Sequence, residues 1–191
     1  MTLEVHFLDA ARQDDFFRLH CPKNGAGWCS CVAWWVATWQ GWDERTADEN
    51  RMLRESLFAR GQFDGYILSV DGTPAGWCQC APRDWFTKLR TSYRLAPDPE
   101  IWALTCFFIA PAFRGRGLAH HLLDAVLRDL ELRGVKHVQA FPTRGDALAA
   151  GEVWTGPESV FTRAGFHLER DDPEHPVYGR PLDPSGPRSA T

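Results

Sequence analysis

Apolar and polar residues alternate from Leu3 to Leu8, the period of a half-buried strand, and the period then lengthens. Asp9 can cap a helix reaching about His20, with Phe16, Phe17 and Leu19 as its apolar side. Cys21 to Gly27 carries the turn residues of a loop. Asp43 or Thr46 can open a second helix that places Met52, Leu53, Leu57 and Phe58 on one face and stops at Gly61. Asp71-Gly72 separates two strand-like runs, Tyr66 to Val70 and Ala75 to Cys80, and predicts a tight hairpin turn, since both residues accept a positive φ. Pro82 to Pro99 holds three prolines and no sustained period, so it reads as a connecting loop able to close over a site.

The run from Ile101 to Ala110 is apolar apart from Thr105 and Cys106, which predicts a strand over Trp102 to Ile109 buried on both faces. Leu118, Leu122, Val126 and Leu130, widened by Leu123 and Leu127, mark an amphipathic helix from Leu118 to Leu132 that Gly134 ends. Between strand and helix lies Arg114-Gly115-Arg116-Gly117-Leu118-Ala119. Two glycines let the backbone turn its N–H groups one way, and the helix start adds unpaired donors and the positive end of its dipole, so this loop predicts an anion site. A strand within Val135 to Phe141 follows, centred on His137 to Phe141, then a Gly- and Ala-rich loop from Thr143 to Gly156. A last strand near Val177 to Pro181 is a candidate for pairing or swapping between two copies in a homodimer.

At 191 residues, the chain fits one domain over residues 1–183, with a Pro- and Ser-rich tail over 184–191 that composition predicts to be disordered. A hydrophobic share of 44%, a charged share of 24% and a net charge of -4 describe a globular chain without the basic field that nucleic acid or an anionic membrane would require. No stretch reaches the ~18 apolar residues of a membrane span, and the start has no basic segment leading into an apolar one. The expected location is the cytoplasm, where the six cysteines stay as thiols.

With Phe107-Phe108-Ile109-Ala110-Pro111-Ala112-Phe113 leading into it, the glycine loop resembles the acetyl-coenzyme A motif of the GNAT superfamily of N-acetyltransferases. That motif is Arg or Gln, two residues, Gly, one residue, Gly or Ala, and Arg114, Gly117 and Ala119 fill it in register. The hairpin before it, the strand after the helix and a short helix from Ser159 closing on Gly165-Phe166 match the family's order, so the resemblance spans most of the chain. Trp77-Cys78-Gln79-Cys80 is also similar to a stretch in uncharacterised members that share a Trp-Cys-x-Cys segment near the N-terminus. The resemblance implies an α/β GNAT fold: a mixed, mostly antiparallel sheet of about six or seven strands, about four flanking helices, and a cofactor cleft between splayed fourth and fifth strands. It implies acetyl-coenzyme A as cofactor and acetyl transfer to a primary amine of a small molecule or peptide, by direct attack in a ternary complex. Phe107, Phe108 and Ile109 would pair with the pantetheine arm, the amides of Gly115, Arg116, Gly117, Leu118, Ala119 and His120 would hold the diphosphate with Arg114 or Arg116 adding charge, and Phe161 joins the cofactor-binding set.

The family's acid and base are harder to place. Counting back from Gly165, the usual Tyr falls on Phe161 and the usual Asn on Trp154, while the central strand, Trp102-Ala103-Leu104-Thr105-Cys106, lacks the usual Glu. Glu100 working through a water, Cys106, Thr155 and Ser159 are the candidate substitutes, with Glu100, Cys106 and Ser159 preferred, against plain readings as a solvated strand end, a core thiol and a helix cap. Trp28 to Trp42 holds five of the nine tryptophans; Trp28, Cys29 and Trp34 from it, with Trp77, are candidate acceptor-wall residues, and an aromatic wall favours an apolar or cationic acceptor. The alternative is a segment buried against the hairpin. Cys29 and Cys31 with Cys78 and Cys80 raise zinc as a further thought, but their CxC spacing is unlike the usual CxxC knuckle, and no metal is expected. A coenzyme A-binding module that regulates without turnover stands as the alternative function, and a zinc-stabilised or redox-responsive interaction domain as the third.

Overall fold

The computed structural model describes residues 1–144 and 154–183, so the tail and most of the loop expected from Thr143 to Gly156 lie outside the described residues. Strands β1 (Leu3–Phe7), β2 (Gly65–Val70), β3 (Thr73–Pro82), β4 (Ile101–Ile109), β5 (His137–Ala140), β6 (His167–Arg170) and β7 (Val177–Pro181) form one sheet in the order β1-β2-β3-β4-β5-β7-β6. β4 and β5 run parallel and the other neighbours antiparallel. Helices α1 (Gln13–Leu19), α2 (Ala47–Ala59), α3 (Thr87–Ser92), α4 (Leu118–Leu132) and α5 (Glu158–Arg163) flank the sheet. The mixed, mostly antiparallel sheet is the one expected; α3 brings the described helices to five.

Local chemistry sets these elements. Asp71 (φ 48°) and Gly72 (φ 75°) make the tight β2–β3 turn. Thr46, not Asp43, starts α2: its hydroxyl accepts the Glu49 N–H at 3.2 Å, and the Glu49 carboxylate accepts the Thr46 N–H at 2.7 Å. The buried side of α2 is Asn50, Arg54, Leu57 and Phe58, while Met52 is 67% exposed, because a buried partner for Arg54 outweighs the apolar register. The stretch from Pro82 to Pro99, expected as loop, contains α3: Phe86, Leu89 and Tyr93 recur at helical spacing and bury against Trp34 and Phe141. β7 has both edges paired, by β5 and β6, so it offers no free edge to a second copy.

On one face of the sheet, Tyr66, Leu68, Cys78, Cys80, Leu104 and Phe107 pack on Leu122, Val126 and Leu130 of α4 and Phe161 of α5. On the other, Ile67 and Trp77 pack on Phe16, Leu19, Phe58 and Cys31, and the apolar layer continues through Trp34, Phe86, Ala103 and Phe141. The sheet opens at its centre. β5 pairs with β4 only from Ile101 to Leu104, and there the β3–β4 register shifts, leaving Thr105 as an extra residue between Leu104, opposite Cys80, and Cys106, opposite Gln79. A bulge bends its strand, and beyond this one β4 runs on to Ile109 without β5 beside it.

Candidate active site

The freed half of β4 presents backbone. Ala110 N–H donates to Ala75 C=O at 2.9 Å, which fixes the alternation: Phe108 pairs with Trp77 of β3, and the polar groups of Phe107 and Ile109 turn to the open edge. There Phe107 N–H donates to Trp154 C=O at 2.8 Å and Ile109 C=O accepts from Arg114 Nε at 2.9 Å. Among the described residues nothing pairs with the Ile109 N–H or the Phe107 C=O, as a strand edge would leave them for an extended ligand.

The edge leads into the glycine loop. Gly115 and Gly117 both take φ 73°, a left-handed conformation that side chains resist, and Gly117 is the N-cap of α4 with no side chain closing the helix start. Among the described residues no acceptor takes the N–H groups of residues 115–119, and Gly115, Arg116 and Gly117 are exposed. Arg114 and Arg116 lie alongside, Arg116 held by Ala112 C=O at 3.1 Å, and neither forms an ion pair with a described carboxylate. His120, one turn in, has a buried Nε2 with no partner among the described residues. Open N–H donors, two guanidinium groups without a carboxylate partner among the described residues and a half-paired strand edge fit a long ligand with a diphosphate at one end.

Trp28 to Trp42, the segment expected to wall the acceptor, forms turns between α1 and α2, not a helix or strand. A buried polar network pins them. Arg54 Nε and Nη2 donate to the carbonyls of Ser30 (3.0 Å) and Cys31 (2.6 Å), residues at φ 44° and 53°. Asp64 accepts from Arg54 Nη1, Trp35 Nε1 and Gln79 Nε2, and Gln79 Oε1 accepts from Thr105 Oγ1 at 2.8 Å, under the bulge. Trp34 is thereby held against the bulge of β4, its Nε1 donating to Thr105 C=O at 3.3 Å and its ring 5.6 Å from Trp154. Trp28 is 41% exposed and packs on Trp42. Trp77 is fully buried under α1 and donates to Cys31 Sγ at 3.1 Å, which takes it away from any open wall.

The remaining candidates scatter. Glu100 is exposed at the start of β4 and pairs with Lys136 at 3.3 Å, at the opposite end of the strand from the glycine loop. Ser159 is exposed in the first turn of α5. Cys106 sits mid-β4, beside Cys31. Phe161 is fully buried against Phe107 and directly beneath Gly156. Burial pushes the Cys29 thiol up to about 11 and raises Cys31, Cys78 and Cys80 as well, so these stay protonated at neutral pH. The two CxC pairs lie on opposite faces of the sheet, and no group of three or more metal-ligating side chains forms among the described residues. Sequence reasoning missed Lys88 in α3, the Arg54–Asp64–Gln79 network and the Trp154 carbonyl; none carries a local signature, since each acts through a partner distant in sequence.

The fold recurs widely. An acetyltransferase from Thermus thermophilus superposes with a TM-score of 0.59 at 17% identity, covering 95% of this chain and 98% of that one. The PaiA N-acetyltransferase of Thermoplasma acidophilum, solved with coenzyme A, gives 0.57 at 12% identity over 95% and 100%. The ribosomal-protein-S18-alanine N-acetyltransferase of Escherichia coli gives 0.55 at 13% identity over 100% of both chains. No sequence among curated proteins matches the chain. The sequence profile of the acetyltransferase (GNAT) family, however, matches residues 28–154, from the tryptophan turns through the open edge of β4 and the glycine loop to Trp154, and the chain belongs to that family.

Proposed function

We propose that this acetyltransferase moves an acetyl group from acetyl-coenzyme A to a primary amine of a small molecule or peptide, by direct attack in a ternary complex. The observation that carries the reading is the continuity of two backbone surfaces with open hydrogen-bonding groups among the described residues, the β4 edge at Phe107 C=O and Ile109 N–H and the uncapped turn from Gly115 into α4. Acetyl-coenzyme A, when bound, supplies the acetyl thioester. The chain supplies the rest. The amides of residues 115–119 with Arg114 and Arg116 hold the diphosphate, the His120 N–H expected to join them being taken by Gly117 C=O at 3.2 Å, and Ile109 N–H and Phe107 C=O align the arm. Trp34 and Trp154 wall the far side of the edge. Among the described residues, Trp34, Trp154 and Phe161 stand beside the edge, and the contribution this reading assigns to them is orientation, which supplies about 7 to 11 kcal/mol for well-placed reactants.

Calorimetric titration with acetyl-coenzyme A, paired with free-thiol release over a panel of amines, tests this. Gly117→Ala should weaken binding modestly, since the position is open but at φ 73°. Gly117→Asp should abolish it, by setting a carboxylate against the diphosphate. Wild-type affinity in the Asp variant would overturn the placement of the cofactor. Tight binding with no thiol release to any primary amine would favour the regulatory module instead.

A further inference from the structure

Among the described residues, Lys88 is a buried cation without an anion. The residue is 2% exposed, its Nζ has no hydrogen-bond partner, and no carboxylate pairs with it among the described residues. The ammonium stands 3.3 Å from the centre of the Trp39 ring, 5.2 Å from Trp42 and 5.7 Å from Trp34. Indole faces attract a cation, but they accept none of the directed hydrogen bonds that an ammonium gives up on leaving water. Burial pulls its pKa down to about 8, with Cys29 acting in the opposite direction, so the charged form still predominates at neutral pH.

Its position gives this charge a use. Trp34, one wall of the cage, donates to Thr105 C=O and stacks near Trp154, whose carbonyl holds Phe107 N–H, so Lys88 stands one indole away from the open edge of β4. We infer that Lys88 anchors a carboxylate on the acceptor, so that the substrates are amines that also carry a carboxylate, such as amino acids. The aromatic wall by itself would suit a cationic acceptor, but here the chain's own ammonium already occupies the ring faces and repels a second one. A carboxylate entering from the cleft takes up the unused N–H donors, and the amine on the same small molecule is left facing the strand edge. The inference rests on the acetyl-transfer reading for its meaning, but its test reads binding alone.

The probes are leucine, phenylalanine and glutamate, each against its α-carboxamide, titrated into the full chain and followed by tryptophan fluorescence. At about pH 6, below the α-amino range of about 7.7 to 8.0, both members of a pair carry the same ammonium and differ at the α-carboxyl position alone. Wild type should bind at least one carboxylate about tenfold more tightly than its amide. Lys88→Met, close in length and apolar, should lose that preference while keeping its urea midpoint, and Lys88→Arg should retain it. Equal binding within every pair, no binding of any carboxylate probe, or a preference that survives in Lys88→Met would overturn the inference. Binding with the expected preference but no acetyl transfer would count against the proposed reaction and leave the anchor standing.

Discussion

Asp64 accepts three side-chain hydrogen bonds, from Arg54 at 2.6 Å and from Trp35 and Gln79 at 2.7 Å each, and it and Arg54 are wholly buried. A buried pair of this kind contributes less by its attraction than it costs when one member is lost, because the survivor is left charged in a low dielectric. Asp64→Asn should therefore destabilise the fold by about 3 to 5 kcal/mol in urea unfolding. The tryptophan turns should loosen along with it, since Arg54 also holds the Ser30 and Cys31 carbonyls. This part of the site was invisible in the sequence. An arginine on the buried face of α2 breaks the apolar pattern, and its partner, just before β2, has no feature of its own to distinguish it from a loop carboxylate.

At the scale of the element, legibility follows how much of the signal is local. The span of α4 could be read to the residue because six apolar side chains recur on one stripe and the helix closes with paired bonds, Gly134 N–H to Glu131 C=O and Val135 N–H to Leu130 C=O. The glycine loop was equally plain, as glycine at a positive φ is dictated by the turn itself. α3 and β6 were not legible, for different reasons. α3 has six residues, too few to establish a period, and β6 is an edge strand with three of its four residues exposed, so its pattern lacks the alternation that burial imposes. Two changes test the elements that were legible. Leu122→Ala, at a fully buried position between α4 and the sheet, should cost about 2 to 5 kcal/mol by urea unfolding. Thr46→Ala, which removes one half of the capping box of α2, should cost about 1 kcal/mol.

For the whole molecule, the buried histidine of the α1 layer sets a limit on acid stability. His20 stacks on Phe16 at 3.9 Å, its Nδ1 lies 3.0 Å from the Phe16 carbonyl, and Trp77 and Phe108 close around it. Burial, the largest influence, lowers its pKa from 6.5 to about 3, with the Phe16 carbonyl opposing and the Arg54 charge adding to the fall. The folded state thus keeps His20 neutral over a range where the unfolded chain takes up a proton. Above pH 6.5 neither state is protonated and the histidine makes no pH-dependent difference; below it the unfolded state is increasingly favoured, until the folded form also binds the proton near pH 3. The loss across that window is on the order of a few kcal/mol, comparable with the whole net stability of a domain of this size. It falls on the layer that links α1, α2, Cys31 and Trp77, so acid should release the tryptophan turns together with the fold. Urea unfolding at intervals from neutral pH down to about pH 4 should show wild type losing stability more steeply than His20→Phe, which has no proton to bind there. Parallel curves for the two proteins would mean that His20 is protonated in the folded state, and the acid limit would then belong to the carboxylates.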